Sequence, residues 1–498
     1  MKDALSIVKE INIKDFFNQK TCSILFFCFA VLYLSFGLFL TYFSDIINSL
    51  NYDLIYSIDS GAAYWQLYIH DRFAAMKHPT IHILINPFIF LFKNFINNPK
   101  LVAVFLQSIL QSFTVVIIYK IIFFLTSKKD ISLLLTLMYG FSYTVLLLTS
   151  FTEVYVFAAL GQVLFLSYFF HCYNNIEDKL ELKETIILIL LSVIGYGINL
   201  INIVSCGIFI LFLLCKTYKK QWKKIIAETL KIASIIALLI LILLQCQTYV
   251  FNIKHRTSGV GHVRIGYENG KILTTLKGTY VEPLYSLKSA PTSEINEFEK
   301  QDGTQVYLPR YLTLDKQNIV RYFPAIIIFL LPLGFYIKNN KKYNNRIIIN
   351  LLLFIVGLYT FFNYSFYSYE CALFALNYFP FLIIILGLLY DNFNPKIRNT
   401  IIGSFLIYEI SINICNLFKI HNFLLNYDTP VHSYLFCICI SVIIIGMLSG
   451  AVKLFKNIFL KQANNIVIND SYAFGLTLYW AFIVLYFIVG CMYRFVSA

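Results

Sequence analysis

Apolar residues run in blocks of about 18 to 25 along nearly the whole chain, separated by short polar breaks. A helix of that length crosses a hydrocarbon core of roughly 30 Å, and within one segment only a helix satisfies its own backbone in lipid. Barrel strands would be shorter and would alternate, and these blocks do not. The pattern predicts an all-α polytopic membrane protein, a single integral membrane domain over residues 1–498. Spans are expected at about 22–43, 101–126, 131–150, 154–171, 225–247, 319–337, 347–365, 372–390, 399–418, 432–452 and 471–493. The run 185–215 is too long for one crossing and carries Asn199 and Asn202 near its middle, so it reads as two short spans. That makes about thirteen helices.

The polar breaks fall into two kinds. One kind holds basic clusters: Lys128 and Lys129; Lys216, Lys219, Lys220, Lys223 and Lys224; Lys338, Lys341, Lys342 and Arg346; Lys396 and Arg398; Lys453, Lys456 and Lys461. With 185–215 split, all of them land on one side with residues 1–21, the cytoplasmic side under the positive-inside rule. The other kind holds the first outer loop, 44–100, and the large outer loop, 248–318. Within the first, the apolar piece 81–92 is broken by Asn86 and Pro87, short for a span and suited to lying along the interface. The large outer loop is too long for a simple connector and reads as functional.

Composition sharpens this. Only 13% of residues are charged and 59% are hydrophobic, against about 25% charged in soluble domains. The net charge of +14 is spread over short clusters rather than one long surface run, which argues against nucleic acid as a partner. Eleven cysteines lie mostly in apolar segments without CxxC or Cys–His spacing, and read as small hydrophobes. The first apolar run is too long for a cleaved signal. Abundant Asn, Ile, Lys and Tyr point to an AT-rich coding genome and a bacterial inner (plasma) membrane.

Candidate chemistry collects on the outer side. Asp59, flanked by Asp53 and Asp71, could act as a general base; the plainer reading is a solvated loop aspartate. His78-Pro79 with His82 could share a metal, though Pro79 lies between them and no third ligand is evident; a proline-started helix is the simpler reading. Glu153 lies in a very short turn close to the hydrocarbon. It is either a functional carboxylate or one placed for the dipole of the helix it opens. Lys254, His255, Arg256, His262 and Arg264, with Gly259 and Gly261 between them, could hold a phosphate or pyrophosphate, or face anionic lipid headgroups. Glu370 at the start of a late span pairs with a basic residue of the large loop or is a simple cap.

In order, the motifs are an acidic residue after the first span, a His-Pro followed by an apolar stretch, a tight turn with Glu153-x-Tyr155, two short spans with a polar tip, and a large outer loop. This order resembles the GT-C superfamily of membrane glycosyltransferases, which includes protein mannosyltransferases and aminoarabinose transferases. It covers roughly residues 20–215. There are departures: Asp59 is followed by Ser60 where many members carry a second acidic residue, Thr80 stands where many carry a second proline, and Glu370 stands where a basic residue often opens a span. The resemblance implies a polyprenyl-phosphate-linked sugar donor, a glycan, lipid or protein acceptor, and catalysis on the outer face. Asp59 and Glu153 would be catalytic, and His78, Lys254, Arg256, Arg264 and Glu370 would bind substrate. It requires no organic cofactor and leaves room for a divalent metal. A polysaccharide polymerase, a lipid-linked oligosaccharide flippase and a non-enzymatic assembly protein are the other readings. A flippase would carry charges facing a central cavity, and the spans between 101 and 215 are nearly free of them.

Overall fold

A computed structural model describes residues 20–42, 73–75, 78–96, 98–151, 153–175, 180–219, 221–256, 272–285, 289–299, 305–313, 322–366, 374–425, 435 and 437–446. The elements are α1 (Lys20–Gly37, continued by a π-helical turn, Leu38–Tyr42), β1 (Phe73–Ala75), α2 (Ile81–Phe95), α3 (Pro99–Thr126), α4 (Lys129–Phe141), α5 (Tyr143–Ser150), α6 (Tyr155–Asn175), α7 (Leu182–Ile198), α8 (Asn202–Tyr218) and α9 (Trp222–Phe251). They continue with β2 (Lys254–Arg256), α10 (Ile272–Tyr280), β3 (Ser289–Glu299), β4 (Gln305–Thr313), α11 (Phe323–Asn339), α12 (Arg346–Phe366), a 3-10 turn (Ala375–Asn377), α13 (Phe379–Tyr390), α14 (Pro395–Leu425) and α15 (Cys437–Gly446).

Among the described residues seven helices are long and apolar enough to cross a membrane, or eight if the bent pair α4–α5 is one span. The chain is a helical, multi-span membrane protein. The long run 185–215 does break at its asparagines, into α7 and α8 of 17 residues each. The span expected at 372–390 is shorter, because Pro380 fixes the start of α13. The span expected at 471–493 lies outside the described residues. Among the described residues strands occur in two small pairs: β3 and β4 form an antiparallel hairpin within the large loop, and β1 pairs in parallel with β2.

Local sequence sets the helix ends. Asn98 accepts the Leu101 N–H at 3.1 Å ahead of Pro99, and so caps α3. Ser127, left-handed at φ 56°, closes α3. At α7 the Glu184 side chain accepts the Glu181 N–H at 3.0 Å.

α3, α6 and α13 form the centre, and every residue of α13 is buried. α1 and α4 pack on α3, while α7 and α8 pack on α6. One end of the bundle gathers three of the basic clusters. Lys128 meets Asp391 at 2.7 Å, and Arg398 pairs with Asp130. Asn345 donates to the Leu125 carbonyl and Tyr343 to that of Leu389. Clusters 128–130, 340–346 and 391–398 therefore share one end, as the charge pattern requires.

Candidate functional site

The opposite end of the bundle brings together loops far apart in sequence. The turn His78–Thr80 is clamped from two sides. The His78 Nδ1 donates to the Ile198 carbonyl at 2.7 Å, since a carbonyl can only accept. The Thr80 N–H donates to the Gly197 carbonyl at 3.0 Å. Gln247, near the end of α9, donates to the Pro79 carbonyl at 3.0 Å and accepts the Ile83 N–H at 3.3 Å. One side-chain amide thus satisfies an acceptor ahead of α2 and a donor in its first turn, both of which would otherwise be buried without partners. α2 is accordingly held into the bundle through Ile81–Ile85, and only positions such as Phe90 and Leu91 face outward.

Glu153 stands in this neighbourhood. It is buried, with its Oε2 accepting the Val154 N–H at 2.8 Å just ahead of α6. Its carbonyl accepts from the Gln107 side chain of α3 at 3.3 Å. Two residues on, the Tyr155 ring meets His78 edge-on, with centroids 5.8 Å apart, and Phe374 at 5.4 Å. Asn199, at the break between α7 and α8, donates to Asn377 at 3.1 Å.

β1 and β2 join the same place. Phe73, Ala74 and Ala75 stand in register with Lys254, His255 and Arg256. The backbone of the two basic residues is thus tied to the strand that ends three residues before His78. Structure therefore brings His78, Glu153 and the Lys254–Arg256 backbone into one region. Asp59, Arg264 and Glu370 lie outside the described residues. His82 Nδ1 accepts from Asn86 at 3.2 Å. Among the described residues no three His, Cys, Asp or Glu side chains gather as a metal site.

A second polar centre forms where α4 and α5 break, bent by 49°. Ser142 is about 20 Å along the helix from Lys129, well inside the hydrocarbon. Broken backbone at that depth must be satisfied by protein. Ser142 Oγ donates to the Tyr139 carbonyl at 2.7 Å, Tyr33 to that of Gly140 at 2.9 Å, and Asn413 of α14 to that of Phe141 at 2.9 Å. The N–H groups of Tyr143 and Thr144 donate to the carbonyls of Leu284 and Pro283, at 2.9 and 3.2 Å. Part of the large loop, α10 and the turn after it, thus enters the bundle. Lys277 and Glu282 hold its fold with an ion pair of 3.1 Å. Burial opposes the lysine charge, and the Glu282 carboxylate and Tyr322 hydroxyl outweigh it, raising the Lys277 ammonium above its ordinary value.

Gln247, Asn199, Asn377 and Asn413 were not among the residues expected to act. Amides in apolar helices are their only sequence signal.

The bundle and its polar end define a membrane-embedded multi-pass protein. No family model, curated protein or solved structure matches the chain.

Proposed function

We propose that this protein transfers a sugar from a polyprenyl-phosphate-linked donor to an acceptor hydroxyl. The reaction takes place at the end of the bundle opposite the basic clusters. We assign that end to the extracytoplasmic face of a bacterial plasma membrane, with a cytoplasmic N-terminus and a GT-C-like set of about thirteen spans. The reading is carried by the β1–β2 pairing, which ties the basic start of the large loop to the His78 turn beside buried Glu153.

The chemistry follows from those groups. The donor's phosphate sits at Lys254, Arg256 and Arg264 while its lipid tail lies along the helices. Asp59 takes the proton of the acceptor hydroxyl, and Glu153 with His78 orients the reacting groups. The hydroxyl oxygen attacks the anomeric carbon, the bond to the lipid phosphate breaks, and configuration inverts. Stabilising the charge on the departing phosphate is the largest contribution. Glu370 binds on the acceptor side.

The test uses proteoliposomes with a radiolabelled polyprenyl-phosphate hexose and a cell-envelope acceptor extract. Glu153→Gln and Asp59→Asn are each expected to lower transfer by roughly 100-fold or more at unchanged protein level. Full transfer by both variants would remove the reading.

A further inference from the structure

Glu409 lies about 21 Å along α14, a helix about 46 Å long, and so sits near the middle of that helix and of its apolar stretch 399–418. It is fully buried, and neither carboxyl oxygen has a hydrogen-bond partner among the described residues. One turn further, Asn413 is also fully buried. Its amide nitrogen donates to the carbonyls of Phe141 and Leu284, at 2.9 and 2.7 Å, while its Oδ1 accepts nothing from the described residues. Positions four apart lie on one helix face. Two adjacent turns therefore present three buried acceptor oxygens, and the one amide donor there is spent on Phe141 and Leu284. A bare carboxylate in such a place is costly, and one proton removes the mismatch: a carboxylic acid donates, and Asn413 Oδ1 accepts.

Among the described residues no charged side chain pairs with Glu409. Tyr285 lies against Phe405 and Tyr408, with centroids 6.0 and 5.4 Å apart. The other titratable groups on the elements packed against α14 include Lys129, Asp130 and Tyr139 on α4, Tyr143 on α5, Tyr42 on the π-helical turn of α1, Glu282 in the turn after α10, where it pairs with Lys277, Tyr336 and Lys338 on α11, and Glu294, Glu297 and Glu299 on β3. Asp130 is engaged with Arg398 at the basic end, and β3 carries no basic residue. The turn Val281–Tyr285, bonded to Asn413 and to the broken helix, is a part of the large loop that lies over this stretch.

We propose that Glu409 is a proton-binding site at the centre of the bundle, its carboxyl proton held on Asn413 and exchanged with water only when the Val281–Tyr285 turn lifts. The inference is independent of the proposed sugar transfer.

The test is infrared spectroscopy of the full-length protein in lipid, in the carbonyl-stretch region of neutral carboxyls. The wild type is expected to show a band that Glu409→Gln lacks, and to keep it at mildly alkaline pH. Glu409→Gln, which mimics the neutral acid, is expected to unfold at the wild-type temperature. Tyr285→Ala, which opens the cover, is expected to lose the band at a pH where the wild type retains it. Identical spectra for wild type and Glu409→Gln would overturn the proposal. So would a large drop in the unfolding temperature of Glu409→Gln, which marks an ionised, paired carboxylate. A wild-type band that emerges only after sodium and potassium are removed would assign the site to a metal cation instead.

Discussion

α3 and α9 are both long apolar helices of spanning length, yet 78% of the most apolar stretch of α3 is buried in the protein and only 17% of that of α9. The difference lies in their polar residues. α3 carries Gln107, Ser108, Gln111, Ser112 and Thr114, all buried. Gln107 reaches the Glu153 carbonyl, and Gln111 donates to Tyr139 at 3.0 Å. α9 instead turns Ile226, Leu230, Leu238, Leu241 and Ile242 outward, and its one buried amide, Gln247, sits where it clamps the His78 turn. Lipid tails are as apolar as leucine, so hydrophobicity drives a helix into the membrane but not to the centre of a bundle. Small and polar residues decide that.

Truncation gives the sharpest test of this contrast. Leu386→Ala on α13, at a fully buried site, is expected to cost about 2–5 kcal/mol, whereas Leu241→Ala on α9, 55% exposed, should stay within about 0.5 kcal/mol. Thermal unfolding in bicelles measures both, and equal losses would break the distinction. Glycines give the next. A Cβ at Gly140 would run into the Phe29 ring, and one at Gly387 would come within 2.9 Å of Ile122 Cγ2, while Gly334 on α11 has nothing within 4 Å. Alanine at either of the first two positions is expected to cost about 1–3 kcal/mol and at Gly334 nothing measurable.

Gln247→Leu leaves the Pro79 carbonyl and the Ile83 N–H unpaired. It should cost about 1–2 kcal/mol and speed proteolysis near residue 78, although α9 is otherwise peripheral. Within the centre, Tyr359 ties α12 to Asn202 and Ser205 of α8 and to Gln162 of α6, through contacts of 3.2–3.3 Å. Tyr359→Phe is expected to cost only about 0.6–1 kcal/mol, the usual size of such bonds in membranes. The smallest effect belongs to the inserted loop. Because Lys277 is raised above 10.5 in the folded state, its contribution is complete below that pH and fades as pH rises through the folded value. Hydrogen-exchange protection at 272–285, taken relative to the base-catalysed intrinsic rate, should stay flat through neutral pH and fall only above about 10.5.

Most of the helices were legible because apolar length and basic clusters answer directly to bilayer thickness and membrane sidedness. The break at Asn199 was readable for the same reason: 31 apolar residues with two amides at the centre exceed one crossing. The break at Ser142 was not, since Tyr-Gly-Phe-Ser inside an apolar run is equally compatible with an unbroken helix. What breaks it there is tertiary, namely donors from Tyr33 and Asn413 and acceptors at Pro283 and Leu284. The entry of 272–285 into the bundle was hidden likewise, because Lys277 and Glu282 look like solvated loop residues until their pairing is seen. At the candidate site, His78 and Glu153 carried visible signals. Gln247 did not, because one glutamine near a helix end says nothing about what it will clamp. Glu409 is plain in sequence as a lone carboxylate in an apolar stretch, but the outer-loop chemistry made no use of it.

The central claim is that the first loop and the basic start of the large loop meet beside His78 and Glu153. In a variant with the eleven native cysteines replaced, Ala74→Cys and His255→Cys together test it through oxidative cross-linking in native membranes. The account predicts a rapid disulfide, with Ala74→Cys paired to Trp222→Cys, at the start of α9, as the negative control. Failure of the Ala74–His255 pair to cross-link, in protein whose single cysteines both react with a maleimide, would contradict it.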